Sequence, residues 1–528
     1  MMTLRHFIAT AALLGMCSAW AQTLPPESTP SVYTLRERDW RNGAVVYQIL
    51  VDRFAPSAQL AAKKHLYPAP KVLRDWPELP KPGVELPDQK LNSQELEFWG
   101  GDLQSARQRL DHVQQLGATA VYLNPIHLAW TNHKYDALDF KAISPEFGTR
   151  EDFRQFAREA HQRGMRVVLD GVFNHMGRNS EPFRQALADA NSPWRAWFAL
   201  GPQYSGGARV WTGYQNLPEL NLEHAPVRQY LYEAPDSVVR GYLRDGADGW
   251  RLDTAYELGF QYLRDLTRAA HREKKDALVV GEIVNYPDQW LRSIDGVMNF
   301  TLRQILLGLA QGELPPQTAA AMTERLVKDA GIEPMLKSWT VIDNHDIARI
   351  ATQLPHERQR RLVQALQFTL PGSPNVYYGS EIGMTGGNDP ENRNPMRWDW
   401  VRHDHPEMVW MKRLIALHNQ HRALRVGDYR RIEAGQLFAF ERYTDKALDT
   451  RLVIANPGST AVTEKIMVAN AALMDDTPLV DLLSDEASKA VATMGPGLIT
   501  VTVPAQSVMV LQPVERALGG YSRYKRVR

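Results

Sequence analysis

From Val45 onward the chain alternates between two rhythms: short apolar runs, and longer stretches with apolar residues at three- and four-residue spacing. The short runs are Val45 to Val51, Ala120 to Leu123, Arg166 to Leu169, Gly249 to Leu252, Leu278 to Val280, Val297 to Phe300, Trp339 to Ile342 and Asn375 to Tyr378. They predict buried strands. Leu103 to Leu116, Glu151 to Arg163 and Glu357 to Leu370 carry the helical spacing and predict helices between them. Strands alternating with helices imply a parallel sheet, and eight of them predict an α/β fold of the (β/α)8 barrel type over residues 40–424.

Two stretches break the rhythm. Residues 176–221 are too long and irregular for an ordinary connection, so they predict a subdomain inserted after the third strand, over the barrel mouth. After Leu424 the period becomes two, as in Leu437-Phe438-Ala439-Phe440, Arg451-Leu452-Val453-Ile454, Leu498-Ile499-Thr500-Val501 and Ser507-Val508-Met509-Val510, which predicts a C-terminal antiparallel β-sandwich at 425–514. The basic tail at 515–528, with Arg523, Lys525, Arg526 and Arg528, reads as a solvated, frayed terminus. No repeat or low-complexity tract interrupts this plan.

At the other end, a basic start, an apolar run from Phe7 to Met16 and Ala19-Trp20-Ala21 predict a cleavable export signal over 1–21, followed by a Pro- and Ser-rich linker over 22–39. The expected location is periplasmic or extracellular, with no membrane anchor. Cys17 lies inside the signal, and the bulky Met16 before it argues against lipidation. Cleavage there leaves no cysteine, hence neither disulfides nor a thiol nucleophile. Charge adds an exclusion: 61 Lys and Arg against 60 Asp and Glu give no pull toward nucleic acid or an acidic ligand, so a neutral substrate fits better. The 44% hydrophobic and 23% charged content is that of an ordinary soluble globular protein.

Reactive groups in such a barrel come from the C-terminal ends of the strands. Here the third ends Asp170-Gly171-Val172-Phe173-Asn174-His175, the fourth Arg251-Leu252-Asp253, the fifth Gly281-Glu282 and the seventh Asp343-Asn344-His345-Asp346. Any one of these has a bland use as a helix cap, core histidine or structural ion pair. Four together on one face point to a site.

These motifs resemble the α-amylase family of glycoside hydrolases, from about Tyr47 to Gln512. Val46-Tyr47-Gln48-Ile49 with Asp52-Arg53-Phe54 is similar to the family's first strand, and Pro374-Asn375-Val376-Tyr377-Tyr378-Gly379-Ser380-Glu381 to its eighth. Asn132-His133-Lys134-Tyr135-Asp136, Leu217-Pro218-Glu219-Leu220-Asn221 and Gly386-Gly387-Asn388-Asp389-Pro390 most resemble the cyclomaltodextrinase, neopullulanase and maltogenic amylase branch. The resemblance implies cleavage of α-1,4-glucosidic bonds in starch-type glucans, maltooligosaccharides or cyclodextrins, with retention. Asp253 would be the nucleophile, Glu282 the acid/base and Asp346 the third carboxylate. Arg251 would hold Asp253 charged, His175 and His345 would bond the sugar, Tyr135 would stack on it, and Asp389 and Arg393 would bind the next glucose. Retention needs two carboxyl groups about 5–5.5 Å apart.

Departures from the family pattern shape the remaining expectations. Acids of a calcium loop are missing from Ala55-Pro56-Ser57-Ala58-Gln59, so no cofactor is required and calcium, although possible through Asn174, is not predicted. An aromatic residue after the acid/base is replaced by Ile283-Val284-Asn285, and no room exists for the branch's N-terminal β domain. A monomer with an open cleft is therefore expected, bounded by the insert and by 386–393, with Trp194, Trp197, Trp211 and Tyr214 as candidate sugar platforms. Transglycosylation or α-1,6 action on the same core is an alternative activity. A non-catalytic sugar-binding protein is disfavoured because all three carboxylates are present.

Overall fold

The computed structural model describes residues 30–486, 488–516 and 519–527; the signal expected at 1–21, with Cys17, and the expected linker up to residue 29 lie outside them. Eight parallel strands close into a barrel: β1 (Val46–Ile49), β2 (Ala120–Leu123), β3 (Arg166–Gly171), β4 (Gly249–Leu252), β5 (Leu278–Ile283), β6 (Gly296–Asn299), β7 (Trp339–Thr340) and β8 (Ser373–Tyr377). Each pairs with its neighbours in chain order and β1 pairs with β8. All eight fall on the short apolar runs of the sequence.

The period of two along each strand sorts side chains between two cores. Val46, Ala120, Tyr122, Val168, Leu278, Val280, Met298 and Trp339 fill the barrel interior. Their neighbours Tyr47, Val121, Val167, Leu169, Trp250, Val279 and Val297 face outward into the core shared with the helices. Going up the same inward rows, Gln48, Asp170, Arg251 and Glu282 follow as the next residues, so alternation alone aims them at the barrel mouth. Register puts Arg251 level with Asp170 on β3 and Val280 on β5, so that Glu282 stands one inward step above them.

The insert after β3 holds the helix Glu181–Ala188 and little other regular structure. Its return is tied to the exit of β3, where Leu220 N donates to Asn174 O at 2.9 Å and Met176 N to Pro218 O at 3.1 Å. After the helices Pro406–Gln420 and Arg422–Val426, a six-stranded antiparallel sheet and a two-stranded one share an apolar cluster that includes Leu452, Ile454, Ile499 and Leu511. The buried Arg442 stitches this domain to the barrel by donating to Thr369 O at 2.8 Å and Gly427 O at 3.0 Å.

Three expectations need correction. Residues 30–39, read as linker, form the helix Val32–Arg38 capped by Ser31, whose hydroxyl accepts from Thr34 N. Its buried Arg36 bonds Glu333, Val426 O and Asp428, clasping both domains. The helix read over Leu103 to Leu116 breaks into Leu103–Arg107 and Leu110–Leu116. In the basic tail, Arg523 pairs with Asp475 and Asp476, and the buried Tyr524 shares a hydrogen bond with Thr477 at 2.7 Å. Arg523 and Tyr524 are thus anchored, not frayed. No helix among the described residues is long and apolar enough to cross a membrane.

Candidate active site

At the centre of the mouth lies Arg251, fully buried. Its Nη1 donates to Asp170 Oδ1 and to Asp253 Oδ1, both at 2.9 Å. Nη2 lies 3.0 Å from Glu282 Oε2 but off the line of a hydrogen bond. Glu282 instead accepts from the backbone N–H of Thr254 at 2.9 Å. Thr254 takes a left-handed conformation, φ 38°, uncommon for a β-branched residue, and this turn sits between Asp253 and the helix Ala255–Glu273.

Burial pushes Asp253 well above the ordinary carboxylate range and Glu282 upward too, with Arg251 opposing both. Negative charge on Glu282 adds to the rise at Asp253, and charge on Asp346 to the rise at Glu282. A proton shared by such a pair belongs to the less well supported anion. Asp253 accepts the aligned guanidinium bond, and Glu282 the backbone N–H of Thr254.

A second network positions the aromatic groups. Gln48 Nε2 donates to Asn124 Oδ1 at 3.0 Å and to His345 Nδ1 at 2.9 Å, while its Oε1 accepts from Asn375 at 3.2 Å. With Nδ1 accepting, the His345 ring proton sits on Nε2 and points to the Tyr135 hydroxyl. Tyr135 in turn donates to Asp170 Oδ2 at 2.9 Å. Burial holds His345 well below its usual range, so the imidazole is neutral. Tyr135 rides on a loop between two short paired strands, His127–Ala129 and Ala137–Ile143, which Asp136 braces by accepting from Thr131 N at 3.1 Å.

The candidate residues meet around a cavity of about 440 Å³ lined by Tyr135, His175, Asp253, Asp346, Asp389 and Arg393. Arg393 Nε donates to His345 O at 2.8 Å, and its guanidinium lies 3.3 Å from Asp389 and 3.4 Å from Asp346. Asp346 is 38% exposed, the most open of the three carboxylates. His175 stacks on Trp211, keeps Nε2 without a protein partner, and is held by burial to about 3. Arg251, His345 and Glu282 do not line this cavity: the first two lie beneath it, and Glu282 borders a neighbouring groove.

Of the four insert aromatics, Trp211 and Tyr214 line the cavity, whereas Trp194 and Trp197 pack on each other at 4.6 Å and belong to the core. Sequence reasoning missed a wall. Asn92, Gln94 and Glu95, from the long connection after β1, also line the cavity, and Glu95 bonds His133 at 3.1 Å. Although burial works against it, His133 lowers Glu95 below the usual range. A short hairpin, Glu85–Leu86 with Leu91–Asn92, brings this wall against Gly213 to Leu217 of the insert across a smaller cleft. The mouth is narrower on this side than the open cleft expected. A capping-box signal was available there, since Asn92 and Glu95 exchange hydrogen bonds at the start of the turn Ser93–Leu96.

With the geometry in hand, comparison with known proteins gives the class. Residues 48–412 match the family described as "Alpha amylase, catalytic domain", and the chain belongs to the α-amylase family. Within it, the chain is 35% identical to a cyclomaltodextrinase from Bacillus sp over 68% of its length, and 32% identical to neopullulanase 2 from Thermoactinomyces vulgaris over 76%. It spans 66% of the first relative and 68% of the second, about two thirds of their length. Among solved structures, the cyclic α-maltosyl-(1→6)-maltose hydrolase of Arthrobacter globiformis superposes with a TM-score of 0.74 at 28% identity, covering 90% of this chain and 99% of that one.

Proposed function

We propose that the protein is a retaining glycosidase of α-1,4-linked glucose units, acting on maltooligosaccharides, cyclodextrins and the ends of starch-type chains. The observation that carries this reading is the single buried guanidinium of Arg251 in contact with both Asp253 and Glu282. Asp253 Oδ attacks the anomeric carbon as the C1–O bond breaks, and the Glu282 proton passes to the departing oxygen. Glu282, now ionised, takes a proton from water; that water attacks C1 from the opposite side and releases Asp253. Asp346 and His175 Nε2 bind sugar hydroxyls, Tyr135 offers its ring to the apolar face, and Asp389 with Arg393 holds the adjoining glucose.

Relatives named for cyclodextrin and pullulan substrates support the substrate class, and the wall at Asn92 to Glu95 favours short chains over polymer interiors. We further propose export through cleavage after Ala21, and a monomeric enzyme that needs no cofactor. Incubation with maltotriose, α-cyclodextrin, pullulan and amylose, with products resolved by chromatography, tests the activity. Maltose and glucose from the first two are expected; no release from any of the four would refute the reading. Light scattering and N-terminal sequencing of the exported protein test the other two.

A further inference from the structure

Besides its carboxylate partners, Arg251 bonds a sulfur atom. Its Nε donates to the thioether of Met298 at 3.4 Å, inside the barrel and away from water. Methionine sulfur is a weak acceptor, and this guanidinium stands among carboxylates. Met298 lies on β6 level with Glu282 on β5, so the sulfur and the acid/base approach Arg251 from neighbouring strands.

The shape of a guanidinium gives this contact its meaning. Nε–H and one Nη2–H point the same way and form a fork that matches the two oxygens of a carboxylate. Here Nη2 lies 3.0 Å from Glu282 Oε2 but has no aligned acceptor, while the Nε prong is held by sulfur. Nη1 is taken by Asp170 and Asp253. Glu282 is thus denied the two-pronged bond and accepts from Thr254 N–H instead. Asp253, Asp346 and Tyr256 also face it, and none is a cation. Along the groove beside it, Arg303 is turned to Ile342 O and Gln353, and Arg325 and Tyr286 to Asp329.

Resting on the hydrolase reading above, we propose that Met298 is a positioning residue for the acid/base: by holding Nε, its sulfur keeps the Arg251 fork off Glu282 and leaves that carboxyl able to carry the proton it delivers. A carboxyl clasped by both prongs would be held charged, with no proton to give at neutral pH. Burial raises Glu282 and Arg251 opposes the rise, so the strength of that opposition depends on how the fork is turned. Leucine in place of Met298 fills nearly the same space without an acceptor, which frees Nε for Glu282.

The experiment follows kcat/KM against pH for maltotriose, whose leaving glucose needs a proton, and for α-maltosyl fluoride, whose leaving fluoride does not. Met298→Leu should move the alkaline limb for maltotriose down by about one pH unit, a loss of about tenfold above it, and leave the fluoride rates near wild type. Met298→Gln, which offers Nε an amide oxygen, should return the limb toward its wild-type place. Circular dichroism and thermal melting check that both variants fold. An unmoved limb in folded Met298→Leu, or maltotriose and fluoride slowed in equal proportion at every pH, overturns the proposal and leaves Met298 a packing residue. Met298→Gln shifting the limb as far as Met298→Leu overturns it too. Failure of the wild type on both substrates removes the hydrolase reading itself, so the two failures are told apart.

Discussion

Arg251 and Asp253 rise from the same strand two residues apart, and Nη1 of the first donates to Oδ1 of the second at 2.9 Å with no access to water for the guanidinium. The same nitrogen also serves Asp170. Removing it strands two carboxylates in a low-dielectric site. Arg251→Met should therefore lower kcat by about 10³-fold and stability by about 3–5 kcal/mol. Adding Asp170→Asn should restore part of the stability and none of the activity, as read by thermal unfolding and steady-state kinetics.

Glu282 makes the opposite prediction. Its folded-state pKa is raised by burial, so native protein holds this proton more tightly than unfolded protein does. Stability from that group is complete below the ordinary glutamate range, near pH 4, and is lost as pH rises through the folded value. Glu282→Gln has no charge to bury and should melt higher than wild type at pH 7, with the gain shrinking toward pH 4. A constant difference across that window would contradict the assigned shift.

Gln48 satisfies His345, Asn124 and Asn375 at once, with every donor and acceptor used. Gln48→Leu leaves these buried groups unpaired and should cost about 1–3 kcal/mol. Turnover should fall with little change in KM, because His345 and Tyr135 lose their fixed orientation without leaving the site. A change confined to KM would show that Gln48 does not act through them.

The insert aromatics separate cleanly. Trp197→Ala, in the packed interior, should destabilise the protein by about 3–5 kcal/mol. Trp211→Ala, at the cavity edge, should leave melting nearly unchanged and raise KM for maltotriose several-fold, in line with about 0.5–1.5 kcal/mol for a lost aromatic contact.

How far the sequence carried this picture depends on how locally each feature is encoded. Buried strands announce themselves, and Ala120 to Leu123 and Gly249 to Leu252 were placed to the residue. Asp253 and Glu282 stand out among several polar groups at strand ends only through the resemblance of their motifs to the α-amylase family. The wall at Asn92 to Glu95 does not, since it is held by contacts with His133 and the insert, distant in sequence and without periodicity. Gln48 reads in the sequence only as part of a strand; its role lies in bonds to β8 and to the loop after β7. The helix Val32–Arg38 was hidden by its Pro- and Ser-rich approach, though Ser31 is a good helix cap.

The central claim is that Asp253 forms a bond to the sugar and that Glu282 is needed to break it. α-Maltosyl fluoride with Glu282→Gln separates the two steps, because fluoride departs without a donated proton whereas water still lacks its base. Mass spectrometry of the quenched, digested protein should find a maltosyl group on the peptide containing Asp253, accumulating within one turnover. A label on any other residue, or turnover to β-maltose with no adduct, would contradict the account.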